Sequence, residues 1–122
     1  MKQKVHSVSY LAKAEFKFKN GVYDLVALPT GAEVVKVSLE VGEGLIDGHI
    51  HIGFKDEATK NYFLALDNRE YGPGKNLTSD KDYTATSNKV VVAEVVSSGN
   101  AGTITCVLRV VYFLPSVIEV EY

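Results

Sequence analysis

One cysteine in 122 residues excludes an intrachain disulfide. That residue, Cys106, stands inside the apolar run TITCVLRVVYF. A small buried hydrophobe is the expected role there, since no basic side chain sits beside it to activate a thiolate. Long apolar runs are missing too: nothing approaches the roughly 20 residues needed to span a bilayer. The opening MKQKVHSVSY has basic residues but neither the apolar stretch nor the small-residue cleavage pattern of a secretory signal. A soluble chain made in a cytoplasm, with no membrane partner, is expected. An excess of either charge is missing as well. The formal net charge is −2 and the pI about 5.9. The densest basic stretch, KAEFKFK, alternates with apolar residues, as the wet face of a strand does. Without a clustered basic surface, nucleic-acid binding is not expected.

Catalytic patterns are equally sparse. No Gly-x-Ser-x-Gly occurs, and the glycines form no phosphate-binding loop ahead of a helix. Acids gather in the middle, at Asp56, Glu57, Asp67, Glu70, Asp80 and Asp82, yet lack the ligand run and central glycine of an EF-hand. A solvated loop accounts for them better.

What the chain has is a period of two. HSVSYLAKAEFKF places His6, Val8, Tyr10, Ala12, Ala14, Phe16 and Phe18 on one face and Ser7, Ser9, Leu11, Lys13, Glu15 and Lys17 on the other. It reads as one long half-buried strand, or as an extended arm leading into a shorter one. Residues 1–15 are accordingly marked as an N-terminal arm or edge strand of a single domain spanning 1–122. Asn20–Gly21 reads as a hairpin turn into VYDLVAL. EVVKVSLEV alternates Val35, Val37, Leu39 and Val41 against Lys36, Ser38 and Glu40. GEG and DG bracket a mobile loop before the short strand HIHIGF. Val90, Val91 and Val92 in succession imply burial on both faces or a bulge. TITCVLRVVYFL turns Ile104, Cys106, Leu108, Val110 and Tyr112 to one side, and VIEVEY is a last strand. Only the middle lacks this period. There Tyr62, Phe63, Leu66 and Tyr71 fit a short helix or an ordered crossing loop, ended by Gly72-Pro73-Gly74. About eight β segments with little helix predict an all-β, two-sheet sandwich, jelly-roll-like.

IDGHIHIG, residues 46–53, holds the best candidate for chemistry. On a strand His49 and His51 share a face and could begin a metal site. Cupins, themselves jelly rolls, use His-x-His on a strand, followed by a Glu three or four residues on and a later His. Here the first acids after His51 are Asp56 and Glu57, one step too far, and the remaining histidine, His6, is distant. Metal sites need three or four protein ligands. The expectation is therefore no metal and no other cofactor, with the two histidines on a solvated strand face. A cupin-like metalloprotein centred on them is the enzymatic alternative.

The order of motifs supplies a resemblance. LPTGAEVVKVSLEV resembles the LPxGA strand of small bacteriophage virion proteins. In that family a strand ending IxIG follows, then an acidic and aromatic segment; here stand Ile50-His51-Ile52-Gly53, then Asn61 to Asp67, and Gly72. A turn SG-x-A-G and a strand V-x-V-x-Y close the pattern, matched by Ser98 to Gly102 and Val107 to Tyr112. Asn61, where an acid is common, and Arg109, within the last apolar strand, depart from it. The resemblance covers residues 28–113. It implies a non-enzymatic capsid cement or decoration protein in the virion, on the capsid surface, after synthesis in the bacterial host. Its partners would be the major capsid protein and itself, as a homotrimer. Interface residues would come from the two ends and the tyrosines: Val5, Val8, Tyr10, Leu11, Tyr62, Tyr71, Ile118, Val120 and Tyr122. The other structural reading is a tail or receptor-binding component, which could stack a glycan on Tyr62, Tyr71 or Tyr83.

Overall fold

The computed structural model describes residues 2–6, 8–71, 75–97, 104–114 and 117–121. It is built from strands: β1 (Lys2–His6), β2 (Ser9–Lys17), β3 (Gly21–Leu28), β4 (Glu33–Val41), β5 (Gly44–Phe54), β6 (Leu64–Tyr71), β7 (Lys75–Thr78), β8 (Tyr83–Thr84), β9 (Lys89–Ser97), β10 (Thr105–Phe113) and β11 (Val117–Glu121). No helix occurs among the described residues.

Two antiparallel sheets carry the fold. One runs β2-β10-β4-β7, with β8 pairing the start of β4; the other runs β3-β9-β5-β6. β1 and β11 form a separate two-stranded ribbon. The chain changes sheet at most of its turns, so nearly every strand lies beside one distant in sequence. With β8 and the ribbon left out, this is a jelly-roll-like order of two interleaved Greek keys.

Alternation explains the layers. β10 buries Cys106, Leu108 and Val110 and leaves Val107, Arg109 and Val111 partly exposed. β5 buries Ile50 and Ile52. With Phe16, Phe18, Leu28, Leu39, Val91 and Ala93 they form one continuous core between the sheets. Burying each large side chain contributes about 1.5–3 kcal/mol. Arg109, which breaks the apolar run in sequence, faces outward and donates to Glu40 Oε1 on the next strand at 2.8 Å. Pro29 and Gly31, at φ 87°, close the turn into β4, where Gly31 N donates to Ala85 O.

Several local expectations change. Asn20–Gly21 does not close a hairpin: β2 pairs with β10 and β3 with β9, so the turn carries the chain between sheets. Asn20 Oδ1 accepts a hydrogen bond from Ser97 N, pinning this corner to the end of β9. In β4, Val34 is buried while Val35 is exposed. Tyr112 pairs with Val34 and Val111 with Lys36, so Val35 is the extra residue of a bulge and Val34 takes its inward place. The stretch marked as a mobile loop before HIHIGF belongs to β5, which is continuous from Gly44 with an irregularity between Ile46 and His49. The triple valine lies opposite another bulge, at Leu25 on β3; Val91 and Val92 are both buried on opposite faces.

The middle segment holds an ordered connection over residues 55–63, and then a strand where helical spacing was read. Phe63 N donates to Ile52 O at 2.9 Å, so the connection docks directly on β5. Phe63 and Leu66 are buried. β6 lies at a sheet edge, where one side of the strand meets solvent and the apolar alternation is diluted. The Gly72-Pro73-Gly74 stop and most of the SSGNAG turn lie outside the described residues.

Gly53 marks the closest crossing. A Cβ placed there would stand 2.5 Å from the Lys60 carbonyl carbon and 2.7 Å from Asn61 N. The connection therefore lies on the outer face of β5, and only a glycine leaves it room. Gly53→Ala is expected to lower stability by about 1–3 kcal/mol through overpacking, measured as a shift in the urea midpoint with an unchanged slope.

Candidate functional site

The first candidate surface is the N-terminal edge. β2 ends its sheet, so among the described residues one side of its backbone has no neighbouring strand. Leu11 and Tyr10 on it are 60% and 50% exposed, and Val8 and Val5 just before it are also exposed. Tyr10 rests against Tyr112, ring centroids 5.8 Å apart. Two contacts tie the arm down where it leaves the sandwich: Leu114 N donates to Val8 O at 2.8 Å, and His6 Nδ1 lies 3.2 Å from Leu114 O. Beyond them β1 pairs with β11, setting Val5 opposite Ile118 and Gln3 opposite Val120. The sequence-predicted residues Val5, Val8, Tyr10 and Leu11 are thus all exposed along this edge, with Tyr10 and Leu11 on opposite faces of β2. The backbones of Ile118 and Val120 join the ribbon beside it, and Tyr122 lies outside the described residues. Val22, Val35 and Val96 are exposed as well. Pattern reading missed Val35 because the bulge reverses its face.

The tyrosines lie elsewhere. Tyr62 is half-buried among Phe54, Phe63 and Tyr83, with centroids 5.4, 4.9 and 5.5 Å away, and its hydroxyl donates to Asp82 O. Lys81 Nζ covers its ring at 5.2 Å. These rings pack the connection against the end of the core. Tyr71 pairs through its backbone with Gly44, at the far end of β6.

The second candidate is the histidine pair. Both side chains face outward from β5, opposite in sense to Ile50 and Ile52. Their rings stack, with centroids 4.1 Å apart and planes at 13°. The sheet registers Asp67 against His49 and Glu94 against His51. His49, His51 and Asp67 offer ligand atoms all within 4.8 Å of one another. The sheet thus brings a third potential ligand, absent from the local sequence, across from β6. His6, held at Leu114 O, takes no part.

Other polar groups pair structurally. Lys89 Nζ donates to Asp56 Oδ2 at 2.6 Å, and Lys55 Nζ to Asp24 Oδ2 at 2.8 Å. The Lys89 bond is the main cause that lowers the Asp56 pKa and raises that of Lys89. Cys106 is fully enclosed; burial pushes its thiol up to about 12, offset only in part by Lys17.

The sequence matches no family model, and no curated protein matches it. Among solved structures, the full chain aligns with the whole of a chain in the acidic stable capsid structure of Helicobacter pylori bacteriophage KHP30, at 68% identity and a TM-score of 0.89.

The chain belongs to the bacteriophage virion proteins.

It is a structural protein associated with the capsid. A chain of the cyanophage Pam1 capsid asymmetric unit shares the fold, with a TM-score of 0.66 at 18% identity over 88% of this chain and 85% of that one. The enclosed thiol is suited to packing. The native protein at pH 8 is expected to leave Cys106 unmodified by a thiol-reactive disulfide reagent, and to react fully once unfolded. Rapid labelling of the folded chain would contradict that packing role.

Proposed function

We propose that this virion protein is a capsid cement protein, binding the major capsid protein and its own copies, as a homotrimer, on the outside of the shell. Full-length identity of 68% to a chain of an assembled capsid carries the reading. The edge position of β2 and the exposed apolar side chains of Val5, Val8, Tyr10 and Leu11 support it. An unpaired edge invites strand addition by a neighbour, and exposed apolar side chains beside it give that contact an anchor. Residues 1–15 act as arm and edge in this scheme, with Ile118 and Val120 in the ribbon that holds the arm.

The related capsid is called acidic stable, and this chain is suited to acid for a physical reason. Acid unfolds proteins chiefly by protonating carboxylates that the native state keeps paired or buried. Among the described residues the buried polar group is Ser38, and the paired carboxylates Asp24, Glu40 and Asp56 are 38–57% exposed, so protonating them costs little. We therefore extend the proposal: this protein cements a shell that survives low pH.

Removing residues 1–8 should leave the sandwich folded by circular dichroism and weaken cosedimentation with purified shells. Leu11→Glu should change stability by no more than about 0.5 kcal/mol and weaken shell binding at least about tenfold. A chain that stays monomeric in analytical ultracentrifugation and binds no shells would sink the cement reading.

The Asp56–Lys89 pair gives a pH test. A carboxylate with a lowered folded pKa stabilises above its unfolded pKa, near 3.8, and that contribution is lost as pH falls through the folded value. Asp56→Asn should melt slightly below the unaltered protein at pH 7 and level with it at about pH 2.

A further inference from the structure

The outer face of the four-stranded sheet carries a constellation that shell binding through the N-terminal edge does not use. The irregularity at Asp47–Gly48 sets it up. Gly48 has φ 135°, and a Cβ there would run into Val96 O at 1.8 Å. β5 thus bends tightly against β9 just before His49, and a bulge of this kind re-aims the side chains that follow.

His51 then stands between two carboxylates on different strands. Its Nε2 is 3.8 Å from Asp67 Oδ1, and its Nδ1 is 3.8 Å from Glu94 Oε1. Both gaps are too long for a hydrogen bond. They do suit ligands around an ion: two atoms held tetrahedrally at 2.0–2.1 Å from one zinc are about 3.4 Å apart. A small rotation of the Asp67 side chain, which is 70% exposed, closes the difference. His49 lies stacked on His51 with ligand atoms of both and of Asp67 within 4.8 Å of one another, and a turn of the His49 ring out of the stack brings its lone pair onto the same point.

The donors favour a transition ion over calcium or magnesium, and zinc is the one taken here. Calcium and magnesium prefer all-oxygen surroundings, whereas two imidazoles and one carboxylate suit zinc. Glu94 stands behind His51, 3.8 Å from its far nitrogen, and completes the pattern once the two close to hydrogen-bond distance. A carboxylate on the far nitrogen of a metal-bound histidine fixes the ring's tautomer and raises its basicity.

We infer that His49, His51 and Asp67 form a zinc site, with Glu94 orienting His51. Three protein ligands leave the fourth position open to water or to a group from outside the chain.

The test uses the untagged full chain, stripped with chelator and dialysed, then titrated with zinc chloride by calorimetry. One zinc per chain is expected, with a rise in melting temperature, because the ion binds the folded state alone. His51→Gln and Asp67→Asn should each weaken binding at least about tenfold, and Glu94→Gln by about 10–100-fold with the stoichiometry kept. His6→Gln should bind as before. These side chains lie on an outer face, and circular dichroism confirms that each variant is folded. Uptake below about a tenth of an equivalent would overturn the site, since a three-ligand site should fill. So would uptake unchanged in a folded His49→Gln/His51→Gln double variant.

Discussion

The fold depends on one thin apolar layer between two sheets whose strands are mostly strangers in sequence. Phe18, Leu28, Leu39, Ile50, Ile52 and Leu108 are fully enclosed there, and they come from both sheets. Because the chain crosses this layer at most turns, no single hairpin can bury its own face. Each inward side chain is covered only when distant strands are in register. Slipping one strand by a residue would send its apolar set into water. The bulges at Val35, at Leu25 and at Asp47–Gly48 adjust that register locally without breaking the layer.

The alternation of apolar and polar residues made much of this legible in sequence. It placed the inward side chains of β10 and β5. It also marked Cys106 as an interior residue. It could not say which strand lies beside which, because period two records a face and not a neighbour. Asn20–Gly21 shows the difference: the turn chemistry is present, yet the strands it joins belong to different sheets. The helical reading of residues 62–71 failed for a related reason. An edge strand loses the clean alternation of a central one, so its few apolar residues fit either period. Val35 was misplaced because a bulge inserts one residue and reverses everything before it.

The histidine pair shows the same limit at the level of chemistry. Two ligands separated by one residue are visible in a sequence; a third on the adjacent strand is not. Asp67 lies 16 positions beyond His51 in the chain, yet the sheet sets it directly opposite His49. Gly53, by contrast, was noticed only as part of a motif. Its physical reason is the backbone of Lys60 and Asn61 pressed against it.

The ribbon of β1 and β11 joins residues 2–6 to residues 117–121. During synthesis the first strand emerges long before its mate exists. Pairings between segments so distant in sequence close slowly, so the arm spends that interval without its intrachain partner. The completed ribbon is thus a record of elapsed time: the arm can be clasped within its own chain only after residue 121 has left the ribosome. A neighbour competing for the same strand would have to arrive before that clasp closes, or else open it.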